Sequence, residues 1–190
     1  MNADETRAIA QNLMRGAPRS VANVTLPLVT PFTECVEKYL PTLMRDGKCL
    51  VMCGGTGSGK TFAAYYALAY AAASGYQQGM LKVSRELATW AIHYREDFEY
   101  LVHENRLLVI DDVGAEHKSA SGWAESVFED LISYRELHRL PTIITTNLAK
   151  DDFGKAFGER VLSRITGWGW YMQVSSAPDL RKPPLEVSSE

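Results

Sequence analysis

Eight consecutive residues in the first third of the chain have the types and the spacing that phosphate binding requires. They match the pattern G-x-x-x-x-G-K-[ST] at each fixed position, and they are Gly54, Gly55, Thr56, Gly57, Ser58, Gly59, Lys60 and Thr61. Glycines let backbone N–H groups turn inward around phosphate oxygens, where side chains would obstruct the approach. Lys60 is then placed to bind the β- and γ-phosphates, and the Thr61 hydroxyl to bind Mg²⁺. The loop therefore predicts nucleotide binding.

The residues on either side of this loop favour the same interpretation. An apolar run at residues 49–53 precedes the loop and predicts a buried strand, and an alanine-rich stretch at residues 61–74 follows it and predicts a helix. A helix that begins at the loop directs the positive end of its dipole toward the same phosphates. The alternative is a flexible glycine-rich turn, which needs neither the strand nor the helix.

Two adjacent acids, Asp111 and Asp112, follow a second apolar run at residues 107–110. In proteins with such a loop, an acid at the carboxyl end of a nearby strand holds Mg²⁺, and this position fits Asp111. Side chains alternate across a strand, so Asp112 is not expected to duplicate Asp111; it is expected to orient or deprotonate the attacking water. The alternative is that the pair only caps a turn. Glu116 is the second candidate for the catalytic acid.

The rest of the chain alternates between predicted strands and helices. Helices are predicted at residues 31–45, 85–102, 122–139 and 157–165, and strands at residues 80–83, 106–112, 141–146 and 170–174. This alternation predicts βαβ units and a parallel sheet covered on both faces, so the expected fold class is α/β. The polar N-terminal segment contains one possible short helix, which Gly16 and Pro18 close.

Composition and charge exclude several classes of protein. The chain has 190 residues, 46% of them hydrophobic and 23% charged, which is typical of one globular domain and not of a disordered or collagen-like chain. A formal net charge of −3 gives no overall attraction to nucleic acid or anionic lipid. The sequence contains no membrane-spanning run and no signal peptide, so a cytoplasmic protein is expected. Cys35, Cys49 and Cys53 are too few for a disulfide framework and predict buried thiols.

Four segments together resemble the motifs of the DnaC/IstB-like AAA+ ATPases, a family of helicase loaders and transposase helper ATPases. Residues 107–116 resemble its Walker B region, residues 140–148 its sensor 1 strand, residues 158–165 its arginine-finger helix and residues 178–181 its sensor 2 segment. The resemblance implies ATP as the nucleotide and a P-loop NTPase fold of the AAA+ type. It also implies three parts: a short N-terminal extension (1–30), an AAA+ core (31–176) without a C-terminal lid domain, and a short tail (177–190).

The same resemblance implies roles for three further residues. Asn147 helps to position the lytic water, Arg164 is the arginine finger, and Arg181 approaches the bound nucleotide. A finger stabilises charge on the transferring phosphoryl group and is often supplied by a neighbouring subunit, which predicts a head-to-tail oligomer or filament with a shared active site. The alternative is a surface arginine that is solvated or paired with Glu159, and Arg160 is the second candidate for the finger.

The function implied by the resemblance is ATP hydrolysis in DNA replication, with a replicative helicase loaded or remodelled on single-stranded DNA. A transposition helper that works with a transposase is one alternative, and a nucleotide-gated adaptor with negligible turnover is another. DNA contacts are expected near residues 84–100, which contain Arg85, Trp90, His93, Tyr94 and Arg95. Bases stack on aromatic side chains while arginine contacts phosphate. Core packing is the alternative, because two of these aromatic residues lie four positions apart on a predicted helix.

Overall fold

A parallel sheet is the frame of the structure. The computed structural model describes residues 2–18, 21, 29–76, 79–93, 95–103, 107–114, 123–175 and 180. Within these residues the sheet has five strands: β1 (Cys49–Gly54), β2 (Met80–Val83), β3 (Leu108–Val113), β4 (Thr142–Thr146) and β5 (Trp170–Val174). Their order across the sheet is β2–β3–β4–β1–β5, and neighbouring strands are parallel. The predicted α/β fold class is confirmed, and β4 lies between β1 and β3.

Helices cover both faces of this sheet. One face carries α1 (Ala3–Leu13), a short 3₁₀ helix (Met14–Gly16), α2 (Pro31–Asp46) and α3 (Lys60–Ala73). The other face carries α4 (Ser84–His93), α5 (Arg95–His103), α6 (Trp123–Leu137), α7 (Lys150–Phe157) and α8 (Glu159–Trp168). None of the described helices combines the length and the apolar character that a bilayer-spanning segment needs.

Strand β1 shows how the two faces share the core. Its side chains alternate, so Leu50 and Met52 join the hydrophobic cluster under α2 and α3, while Cys49 and Val51 join the cluster under α6 and α8. A strand that is buried on both faces has to be apolar at every position, which is why its sequence is a continuous apolar run. The three cysteines are all buried and unpaired, as predicted.

Two helices lie between β4 and β5, and the helical stretch predicted near residues 157–165 corresponds to the second of them, α8. The first, α7, begins at Lys150, and Gly158 separates it from α8. The sequence of α7 is mostly polar, and only Phe153 and Phe157 pack into the cluster on this face. Two aromatic residues four positions apart are a weak periodic signal, so the first helix was missed.

Helix α1 belongs to the face that carries α2 and α3. Arg7 Nε donates a hydrogen bond of 2.9 Å to Glu37 Oε1, and the Tyr66 hydroxyl donates one of 2.6 Å to the same oxygen. The hydrogen bonds from Arg7 lower the pKa of Glu37, so the pair stays ionised at neutral pH. Ala10 and Met14 are buried in the cluster of this face. The domain boundary expected at residue 30 stays a prediction.

Gly47 is a position where the backbone leaves no room for a side chain. It ends α2 with φ +56°, and a Cβ there would lie 1.6 Å from the backbone oxygen of Arg139. We expect Gly47→Ala to lower the free energy of unfolding by about 3 kcal/mol, because backbone has to move to relieve the contact. Gly16→Ala is the control, since a Cβ at Gly16 meets nothing within 4 Å. Equal urea midpoints for the two variants would contradict this expectation.

Candidate nucleotide-binding site

The predicted phosphate loop connects β1 to α3 at the carboxyl edge of the sheet. Gly59 has φ +92°, a conformation that side chains rarely adopt. A Cβ on Gly54 would come within 2.8 Å of Phe32 Cζ and 3.0 Å of Ser58 Oγ. Glycine is therefore required at residue 59 by the backbone conformation and at residue 54 by the close packing of Phe32 and Ser58.

The side chain of Lys60 turns back from the start of α3 into this loop. Its Nζ donates hydrogen bonds of 2.7 Å to the backbone oxygen of Gly54 and 2.8 Å to that of Gly55. Ser58 Oγ lies 3.4 Å away. Lys60 is only 7% exposed, so the loop presents a largely buried ammonium group. A buried positive charge at the beginning of a helix favours an anionic ligand.

Asp111 and Thr61 meet although they are far apart in sequence. The Thr61 hydroxyl lies 3.1 Å from Asp111 Oδ2 and 3.3 Å from Oδ1. Burial raises the pKa of Asp111, and the neighbouring Asp112 raises it further, while hydrogen bonds from the Thr145 and Thr61 hydroxyls and the charge of Lys60 oppose this shift. A cation at this point would stabilise the ionised carboxylate. Hydroxyl and carboxylate oxygens are ligands that Mg²⁺ prefers, so these two residues could hold it.

Asp112 has a backbone conformation that the sequence did not predict. Its φ is +63°, in the left-handed region that residues other than glycine rarely occupy. The pairing of β3 with β4 shifts register between Ile110 and Val113. The sequence analysis separated Asp112 from Asp111 by the regular alternation of side chains along a strand. That reason is wrong, because a bulge interrupts the strand here. Asp112 is half-buried at the carboxyl end of β3.

Asn147 lies at the same edge of the sheet, directly after β4. The Thr146 hydroxyl donates a hydrogen bond of 2.7 Å to the Val113 backbone oxygen and accepts one of 3.0 Å from the Leu148 N–H. These two bonds tie the turn that contains Asn147 to the end of β3. Asn147 is exposed at the edge of the sheet where the two acids also lie, and this position is compatible with a role in positioning water.

The structure does not place Arg164 with the phosphate loop of its own chain. Arg164 lies on α8, across the sheet from α3, and its Nη1 is 2.7 Å from Oε2 of Glu136 in the last turn of α6. Its side chain is 30% exposed. If Arg164 were only a surface arginine, Glu159 was its expected ion-pair partner; the structure pairs it with Glu136 instead. Arg160 pairs with Glu129 at 3.4 Å and is 74% exposed.

The tail returns to the phosphate loop at one described residue. The Leu180 N–H donates a hydrogen bond of 2.9 Å to the Gly57 backbone oxygen. Leu180 Cδ1 would lie 3.1 Å from a Cβ on Gly59. The tail therefore covers part of the loop. Arg181 itself lies outside the described residues, as does Glu116.

The expected DNA-contact region is only partly described. Residues 84–93 and 95–103 form α4 and α5, and His93 is exposed. The side chains of Arg85, Trp90, Tyr94 and Arg95 lie outside the described part of the chain. The DNA contacts stay a prediction.

Thr145 is a residue of the site that the sequence analysis missed. Its hydroxyl donates a hydrogen bond of 2.6 Å to Asp111 Oδ1. The available signal was the pair Thr145-Thr146 directly after the apolar Ile143-Ile144, since buried hydroxyl groups in a strand need hydrogen-bond partners.

The fold and the site together define a P-loop protein of the AAA+ class, with the phosphate loop after β1 and the acids at the end of β3. The sequence profile of the family described as IstB-like ATP binding protein matches residues 40–166. The chain therefore belongs to this family, and it is an ATP-binding protein. No curated protein sequence matches the chain.

Solved structures share the fold. The crystal structure of the DnaC helicase loader is 23% identical, with a TM-score of 0.67, covering 83% of this chain and 99% of that one. The crystal structure of DnaI is 21% identical, with a TM-score of 0.66 and coverages of 90% and 99%. The replication initiator DnaA bound to AMPPCP and single-stranded DNA is 18% identical, with a TM-score of 0.59 and coverages of 91% and 51%. The predicted AAA+ fold is confirmed, and no helical lid follows β5 among the described residues.

Proposed function

We propose that this protein hydrolyses ATP with Mg²⁺ and acts in DNA replication by loading or remodelling a replicative helicase on single-stranded DNA. The observation that carries the proposal is the carboxyl edge of the sheet. There the buried ammonium of Lys60 lies inside the phosphate loop, and the Thr61 hydroxyl lies 3.1 Å from Asp111. Membership of an ATP-binding family supports the nucleotide, and the fold shared with the DnaC helicase loader supports the process.

The proposed chemistry divides between these residues. The backbone of residues 54–59 and the Lys60 ammonium bind the phosphates, and Thr61 and Asp111 hold Mg²⁺, which neutralises phosphate charge when bound. Asp112 takes the proton of the attacking water, and Asn147 orients that water from the next strand. Arg181 contacts the nucleotide in this proposal, which the hydrogen bond from the N–H of its chain neighbour Leu180 to the loop supports.

Arg164 completes the site of a neighbouring copy. Within its own chain the guanidinium is paired with Glu136, 2.7 Å from Oε2, so contact with the nucleotide of a neighbour would replace this ion pair. This arrangement requires a head-to-tail oligomer or filament, in which each interface contains one active site.

Asp112→Asn tests the assignment of the catalytic acid. We expect nucleotide affinity close to that of the wild type and turnover lowered by about 100-fold or more, because an amide is a poor base for water. Phosphate release and binding of a fluorescent ATP analogue measure the two quantities. Asp130→Asn is the control, since Asp130 is an exposed acid on α6. Normal turnover in Asp112→Asn would make Glu116 the candidate.

The family match favours a second candidate function, that of an IstB-like ATPase helper in DNA transposition. Two measurements separate the candidates. A stable complex with a hexameric replicative helicase, seen by size-exclusion chromatography with ATP, supports the loader. Filaments on duplex DNA in electron micrographs, with recruitment of a transposase, support the helper. Negligible turnover with and without single-stranded DNA would instead indicate a nucleotide-gated adaptor.

A further inference from the structure

We infer that Thr145 is a positioning residue that holds both acids of the site through one hydroxyl group. Its Oγ1 donates a hydrogen bond of 2.6 Å to Asp111 Oδ1 and accepts one of 2.9 Å from the Asp112 N–H. Thr145 is 1% exposed, so solvent does not compete for these bonds. The inference rests on the proposed function, because it assigns Thr145 a task in binding Mg²⁺ and nucleotide.

The bulge in β3 explains why a side chain has to provide this contact. Ile110 pairs with Ile144 and Val113 pairs with Thr146, so β3 advances three residues while β4 advances two. The extra residue interrupts the ladder of backbone hydrogen bonds. The Thr145 hydroxyl accepts the Asp112 N–H at this interruption. It thereby supports the left-handed conformation of Asp112, whose φ is +63°.

The Thr145 hydroxyl has one proton, so it can donate one hydrogen bond while it accepts another. Because Thr145 accepts from Asp112, its own proton is available to the carboxylate of Asp111. This bond occupies Oδ1 at 2.6 Å, while Oδ2 lies 3.1 Å from the Thr61 hydroxyl. Oδ1 is thus bound to β4, while both carboxylate oxygens stay within 3.3 Å of the Thr61 hydroxyl at the phosphate loop. Thr145 orients the proposed Mg²⁺ ligand in this way and fixes the proposed base next to it.

Thr142, in the same strand, forms its hydrogen bonds away from the two acids. The Thr142 hydroxyl, at the amino end of the strand, accepts from Arg135 Nε at 2.9 Å and donates to the Leu140 backbone oxygen at 2.9 Å. Thr142 is 0% exposed. It is equally buried and equally hydrogen-bonded, but it lies at the far end from the acids. Thr142→Val therefore removes a buried hydroxyl from the same strand without touching the site.

The test compares the Mg²⁺ dependence of nucleotide binding in Thr145→Val, Thr145→Ser and Thr142→Val. A fluorescent ADP analogue is titrated in EDTA and then at increasing Mg²⁺. In Thr145→Val, we expect affinity in EDTA close to that of the wild type, because the loop is intact. The Mg²⁺ concentration that produces half of the change in nucleotide affinity (the half-effect) should rise by about 10-fold or more. Removing a group that orients a metal ligand lowers metal affinity by this order at other metal sites. Thr145→Ser should restore the wild-type value. Thr142→Val should lower the thermal unfolding temperature without moving the half-effect.

An unchanged Mg²⁺ half-effect in folded Thr145→Val, or failure of serine to restore it, would overturn the inference. A wild type whose binding does not respond to Mg²⁺ would overturn it as well. If the valine variant does not fold, as judged by circular dichroism, Thr145→Ala gives the same readout without the added methyl group. A wild type that binds Mg²⁺ and nucleotide but hydrolyses nothing would contradict only the proposed hydrolysis. A normal half-effect in Thr145→Val beside normal wild-type turnover would contradict only the role of Thr145.

Discussion

Replacing Arg164 with alanine should leave ATP affinity close to the wild-type value and remove most of the turnover. The phosphate loop of the same chain is untouched by the substitution, whereas the neighbouring site loses a guanidinium group. An arginine finger in other P-loop enzymes contributes about 10³–10⁵ in rate. Turnover per subunit in the wild type should rise with protein concentration or with a DNA template, because each site needs two copies.

Mixing two inactive variants decides where Arg164 acts. Arg164→Ala supplies an intact loop and acid, and Asp112→Asn supplies an intact finger, so one mixed interface contains a whole site. Partial activity should return on mixing. No recovery, under conditions where light scattering shows that the two variants assemble together, would place Arg164 outside the neighbouring site.

Two further variants test whether Arg164 or Arg160 is the arginine finger. Arg160→Ala removes the second candidate for the finger, which is 74% exposed and paired with Glu129. If Arg160→Ala loses turnover and Arg164→Ala keeps it, the roles are exchanged. Lys155→Ala is the control, because Lys155 is an exposed cation paired with Asp152 on α7. Its turnover should equal that of the wild type.

Lys60→Ala should weaken ATP binding by about 100-fold or more. A charge-assisted contact contributes about 3 kcal/mol, and every 1.4 kcal/mol corresponds to about tenfold in affinity. Since the Nζ of Lys60 already lies 2.7 Å from Gly54 O inside the loop, little rearrangement is needed to reach a phosphate. Isothermal titration calorimetry with ATP measures the change.

The control for this variant is Lys38→Ala, which removes an exposed lysine from α2. It should bind ATP as the wild type does. Circular dichroism has to show that Lys60→Ala is folded, because Lys60 also holds two carbonyl groups of the loop. Wild-type affinity in folded Lys60→Ala would mean that the phosphates bind elsewhere.

Much of the architecture was readable from the sequence. The phosphate loop is eight contiguous residues, so its spacing alone identifies it. Strands β2 and β5 have the predicted bounds, and β1 was recognised from its apolar run. Each of these features depends on the order of neighbouring residues, and local order is what hydrophobic periodicity and turn residues report. The alternation of strands and helices then allowed the parallel sheet and its two covered faces to be predicted.

The details of the site depended on the tertiary structure. A bulge is defined by the register of one strand against another, so the left-handed Asp112 and its bond to Thr145 have no counterpart in the sequence of β3 alone. The same holds for Arg164, whose partner is Glu136 on α6 and not the neighbouring Glu159. Contacts between residues that are distant in sequence form only when the sheet and its helices pack. The sequence therefore determined which groups could bind a nucleotide, and the packing of β3 against β4 decided how the two acids are held.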